Sequence, residues 1–125
     1  MLFLVNKVKT LFFIVDKPLH GDVKAQEFLD TVLMAAAFDQ RVILLFEGKG
    51  VFALLENQQP ELMGLKNVSP ILSALTIYDI NDVWVEEEAL KSLGIEKNQF
   101  VIPAKAVARD EIKRHMSLAD HVFSF

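Results

Sequence analysis

The sequence predicts an α/β domain in which a parallel sheet carries helices on both faces. Three observations lead there. Short runs of β-branched and aromatic residues alternate five times with segments of helical spacing, the pattern of strand–crossover–strand units. The runs "LFFIV" and "RVILLF" are apolar on both faces, as strands between two helical layers must be. The 125 residues hold no linker, internal repeat or low-complexity tract, which predicts one domain over residues 1–125.

Each element has a local reason. Val8 to Val15 is β-branched and aromatic and is bounded by Asp16 and Pro18, the profile of a central strand. "DKPLHGD" is a loop, and Asp22 can cap a helix over Val23 to Phe38, where Phe28, Leu29, Val32, Leu33 and Ala36 follow helical spacing. Arg41 to Phe46 is a second buried strand, and "EGKG" then turns the chain into a short helix, "VFALLE". Asn57 to Asn67, with Pro60 and Gly64, has no clear period and is the longest irregular stretch. Ser69-Pro70 supplies an N-cap and a proline at the first helical position, opening a helix that runs to Ile77. Val83 to Val85 is strand three, and Glu86 to Leu93 a helix closed by Gly94. "FVIP" is strand four, Arg109 to Ser117 the last helix, and "HVFSF" a terminal strand.

Composition narrows the function classes. Net charge is -4 and no Lys/Arg run exceeds Lys113-Arg114, so direct nucleic-acid binding, which needs a basic face, is not expected. There is no cysteine, which removes disulfides, thiolate metal sites and any cysteine nucleophile. The opening "MLFLVNKVKTLFFIVDK" fails as a signal peptide, because Lys7 and Lys9 interrupt the apolar run and no small-residue cleavage site follows. No segment reaches the ~18–20 apolar residues of a membrane span. A cytoplasmic chain is the expectation. The apolar fraction of 52%, with ten phenylalanines, hints at surface buried against other subunits or at self-association of the isolated chain.

Candidate sites each meet a plainer explanation. "GKG" at Gly48 to Gly50 lacks the Ser/Thr and the spacing of a phosphate loop, so tight turning is the default. His20, in "PLHGD" at the end of strand one, can serve as acid or base but has no partner fixed by sequence. His115 and His121 lack metal-ligand spacing, and neither a metal nor a cofactor is expected. Glu86, Glu87 and Glu88 form either an acid/base cluster or first-turn carboxylates favoured by the helix dipole. Trp84 and Tyr78 are core residues or interface anchors.

Four quoted pieces, "PLHG", "GVFALLENQQP", "LTIYDINDVWVEEEALKSLGI" and "ADHVFSF", occur in an order and spacing that resemble the TusC/DsrF group of the DsrE-like sulfur-relay family. The resemblance covers the chain from about Val8 onward; Met1 to Lys7 stands as an extension before it. It implies a three-layer α/β/α domain with a five-stranded parallel sheet. It also implies partners: TusB-like and TusD-like subunits in a heterohexamer that passes persulfide sulfur from TusA toward TusE, for 2-thiouridine at the tRNA wobble position. Matching the TusD/DsrE pattern puts that subunit's sulfur-accepting cysteine at Val85, so this chain would be a non-catalytic subunit. Lys49 stands where relatives lead one to expect an acidic residue. Three other readings stay open: a DsrF-type subunit of dissimilatory sulfur oxidation, a stand-alone binder of small molecules, and an enzyme using His20 with the Glu86 cluster.

Overall fold

The computed structural model describes residues 8–19, 24–56 and 69–125. Its first strand, β1 (Thr10–Val15), carries large apolar side chains that alternate between two cores. Phe13 and Val15 enter the larger core, while Phe12 and Ile14 enter the smaller one on the opposite face. β2 (Arg41–Phe46) and β3 (Asp82–Glu86) repeat the alternation. Val42, Leu44, Phe46, Val83 and Val85 lie on the first side, and Ile43, Leu45 and Trp84 on the second. Period-2 side chains with both sets apolar are what a sheet covered on both faces requires. Each fully buried Phe or Leu contributes roughly 1.5–3 kcal/mol.

Strands β4 (Lys105–Val107) and β5 (His121–Ser124) complete a five-stranded, wholly parallel sheet in the order β4-β3-β2-β1-β5. Helices α1 (Ala25–Ala37), α2 (Ser69–Ile77) and α3 (Glu87–Leu93) cover the larger core through Leu29 and Val32, Leu72 and Leu75, and Ala89 and Leu90. A 3-10 segment, Gly48–Leu54, adds Val51, Ala53 and Leu54 to that side. Among the described residues the other face is covered by α4 (Arg109–Leu118), through Ile112 with Met116 beside it. This is the three-layer arrangement expected.

Strand four corrects the sequence reading. "FVIP" forms no ladder strand: Phe100 makes one isolated antiparallel bridge to Leu55, and the Val101 N–H donates to the Leu54 carbonyl at 2.7 Å. Pro103 has no N–H to give a ladder, and Ile102 instead fills the larger core. The true fourth strand, "KAV", sits at the sheet edge with Lys105 exposed. It therefore lacks the two-faced apolar run by which the inner strands announce themselves. The short helix after "EGKG" is 3-10 in form and starts inside the glycines. The expected Asp22 cap, the stretch Asn57 to Asn67, His20 and the 1–7 extension lie outside the described residues.

The edge strand β5 is held by aromatic contacts. Phe123 stacks on Phe13 with ring centroids 5.0 Å apart, Phe13 meets Phe28 edge-on, and Phe28 packs near Phe125. Asp120 accepts the Thr10 N–H through its carboxylate and returns its own N–H to the Thr10 carbonyl.

Candidate functional site

In an open parallel sheet, ligands gather beyond the carboxyl ends of the strands, where neighbouring connections leave for opposite faces. Here that point lies between β3 and β4. The chain leaves β3 into α3, on the larger-core face, and leaves β4 into α4, on the other. Val85 and Glu86 end β3 at this point, and Arg109 opens α4 across from them.

Val85 is fully buried in the larger core, so its methyls face hydrocarbon. Glu86 points the other way and is only 6% exposed, the sole buried charged residue among the described ones. One carboxylate oxygen accepts from Arg109 Nε at 2.7 Å and the other from the Gly48 N–H at 3.2 Å. A buried carboxylate demands such partners, because an unpaired one costs several kcal/mol. Glu88 is spent differently. It accepts the backbone N–H of Arg109 on both oxygens, at 3.0 and 3.1 Å, and so satisfies the amino end of α4 from outside that helix. Hydrogen bonds from its own N–H and from that of Arg109 hold the Glu88 carboxyl below its ordinary range. Only Glu87 behaves as a simple surface carboxylate, paired with Lys91 one turn on.

Glu47 stands beside this pair. Burial, then the charges of Glu86 and Asp16, push its carboxyl up, against a smaller opposing pull from Arg109. Hydrogen bonding to Glu86 pushes the Arg109 guanidinium up in turn. Two cavities flank the ion pair. One of about 140 Å³ is lined by Glu47, Glu86, Arg109, Ile112, Lys113 and Met116. The other, about 200 Å³, reaches Lys49 and Ser92. The place where open parallel sheets gather ligands is thus occupied by an ion pair of the chain itself, with a cavity on either side.

The 3-10 segment reaches this corner because of its glycines. A Cβ on Gly50 would stand 2.1 Å from the Val15 carbonyl oxygen, so only glycine lets the turn lie against the end of β1. That accounts for "GKG" as backbone geometry; Lys49 is exposed on the rim. Among the described residues no group of three or more His, Cys, Asp or Glu is placed to hold a metal.

The other candidates are dispersed. Trp84 is 5% exposed, meeting Phe12 edge-on at 5.8 Å and His115 at 4.9 Å, so it packs its own chain's smaller core. Tyr78, at the end of α2, is 54% exposed. His121 lies exposed at the start of β5, far along the sheet from Glu86. Sequence reasoning passed over Arg109 and Glu47, and weighed Gly48 as part of a phosphate loop or tight turn but not as a donor to Glu86. The signal for Arg109 was present: a cation at the amino end of a helix opposes the dipole and calls for a carboxylate nearby.

The DsrE/DsrF-like family model matches residues 9–125. A "Protein TusC homolog" of Vibrio parahaemolyticus is 32% identical over 106 residues, covering 85% of this chain and 90% of that one. The "Intracellular sulfur oxidation protein DsrF" of Allochromatium vinosum is 34% identical over 75% of this chain and 69% of its own length. Among solved structures, the ychN protein of E. coli superposes with a TM-score of 0.76 at 18% identity, covering 95% of this chain and all of that one, which supports the fold alone. With the family match spanning nearly every residue, the chain belongs to the DsrE/DsrF-like family.

Proposed function

We propose that this chain is a non-catalytic subunit of a cytoplasmic sulfur-relay complex, built with TusB-like and TusD-like subunits. The complex receives persulfide sulfur from a TusA-like donor and delivers it through a TusE-like acceptor for 2-thiouridine at the tRNA wobble position. The observation that carries this is the corner at the end of β3, which holds an ion pair and no thiol. Relay chemistry needs a thiolate to attack the outer sulfur of an incoming persulfide, forming a new S–S bond as the donor thiolate leaves. At this corner the chain offers the Val85 methyls, turned into the core, and the Glu86 carboxylate, tied to Arg109. It has no cysteine anywhere to take the sulfur. Similarity to TusC homologues over most of the chain supports the tRNA branch.

The 34% identity to a DsrF of sulfur oxidation keeps one second reading in view, the same subunit role in dissimilatory sulfur oxidation. Two experiments separate the possibilities. Incubated with a cysteine desulfurase and the TusA-like donor, the chain should show no added sulfur by intact mass; a stable adduct would overturn the non-catalytic role. Deleting the gene should lower wobble 2-thiouridine in total tRNA. Unchanged thiolation would transfer the proposal to sulfur oxidation.

A further inference from the structure

Three helices of this protein end in the same closing turn, and they do not use the same residue for it. After α3 the left-handed position is Gly94, at φ +66°, and the Ile95 N–H reaches back to the Leu90 carbonyl. After α1 it is Asp39, at φ +61°, with Gln40 N–H on the Ala35 carbonyl and Asp39 N–H on that of Ala36. After α2 it is Asp79, at φ +60°, with Ile80 N–H on the Leu75 carbonyl and Asp79 N–H on that of Thr76. Aspartate is disfavoured there twice over. A side chain in the left-handed region is strained where glycine is not, and a negative charge at a helix carboxyl end meets the negative end of the dipole. Neither aspartate has an ion-pair partner among the described residues.

The two turns belong to one surface. α1 and α2 pack side by side, and both turns line a cleft of about 320 Å³ at the amino end of β2 and β3. Each aspartate follows an exposed aromatic: Phe38, 70% exposed, and Tyr78, 54% exposed. Met34 lies one helical turn before Phe38 at 60% exposure, and Ile77 immediately before Tyr78 at 79%. Four large apolar side chains are thus open to water beside two unpaired carboxylates.

From this we infer that the carboxyl ends of α1 and α2 form a docking surface for a different protein subunit, one presenting an apolar centre framed by lysine or arginine. Charge decides the occupant. The cation lining the cleft, Arg41, is already paired with Asp82, so a second copy meeting this face about a twofold axis would set Asp39 and Asp79 against the same carboxylates, and like charges across an interface cost affinity. An anionic membrane surface is repelled for the same reason. A basic-rimmed partner neutralises both aspartates and covers the aromatics, the residue type enriched at binding hot spots. In naming a relay subunit as that partner, the inference rests on the function proposed above.

The test uses the full chain co-expressed with the TusB-like and TusD-like subunits of the same genome, followed by sedimentation and binding titration at low and high salt. Asp39→Asn with Asp79→Asn removes both charges and keeps a residue that tolerates the left-handed turn. Phe38→Ala with Tyr78→Ala trims the aromatics. Each pair should weaken the complex roughly tenfold or more, and the asparagine pair should flatten its salt dependence, with thermal melting of the isolated chain no lower than wild type. A complex that forms but ignores both pairs overturns the docking surface and leaves the relay role standing. No complex with the wild-type chain overturns both. A homodimer broken by the same substitutions overturns the choice of partner.

Discussion

The two ends of the sheet treat charge in opposite ways. At the carboxyl end, Glu86, Glu88 and Arg109 are bound to one another, with Gly48 as a further donor, and the corner is complete within one chain. At the amino end Arg41 pairs with Asp82 at 3.3 Å, but Asp39 and Asp79 stand in strained turns beside exposed Phe38 and Tyr78, with no ion pair of their own among the described residues. The end that holds chemistry in many α/β proteins is here taken up by the chain's own ion pair. The end that seldom does is left unfinished. Substitutions at the ion-paired end should cost stability, whereas those at the open end should cost association.

The hardest break is Gly50→Ala. A methyl placed 2.1 Å from the Val15 carbonyl oxygen forces the 3-10 segment off β1, and a loss of about 3 kcal/mol is expected in urea unfolding. The single Trp84, buried against Phe12, gives the fluorescence signal. A loss below about 1 kcal/mol would show that the corner is soft. Next is Glu86→Ala, which strands the Gly48 N–H and frees Arg109. It should cost about 2 kcal/mol, since Glu86 is buried while its partner is half exposed. It should also raise exchange of the Gly48 amide with solvent deuterium.

At the open end the sign reverses. Asp39→Gly with Asp79→Gly relieves two strained turns and should raise stability by about 1 kcal/mol for the pair, seen as a higher melting temperature, while weakening the complex. The smallest effect is a pH profile. The Glu47 carboxyl is raised in the folded state, mainly by burial, so the folded chain binds its proton more readily than the unfolded chain. Its contribution to stability is present below the unfolded value of 4.5 and is lost as pH rises through the higher folded value. Glu47→Gln should remove that decline, which sets in above pH 4.5, measured as melting temperature against pH.

Legibility in the sequence follows burial and sequence distance. "RVILLF" matches β2 at both ends because a strand between two helical layers is apolar throughout. "KAV" was missed because an edge strand carries no such run. The three glutamates show the second limit. The sequence reading sets all three in a first helical turn, yet Glu86 ends β3 instead, and it and Glu88 are committed to Arg109, 23 and 21 residues on, a pairing no local period records. Likewise, glycine marks the end of α3, while "FD" and "YD" close α1 and α2 with residues that carry no such signal.

The placement of β5 also has a consequence during synthesis. β1 is made well before its outer neighbour: Thr10 and Asp120, which bond across that seam, are 110 residues apart. Until β5 has been made and has left the ribosome, β1 presents an open edge of unpaired amides and carbonyls bearing Phe12 and Phe13. Contacts of such long separation close slowly, and an open apolar edge is the template on which nascent chains aggregate. The chain therefore depends on β5 as the seal on β1. Native pairing must outrun aggregation in the interval before β5 docks, and the stacking of Phe123 on Phe13 rewards that closure.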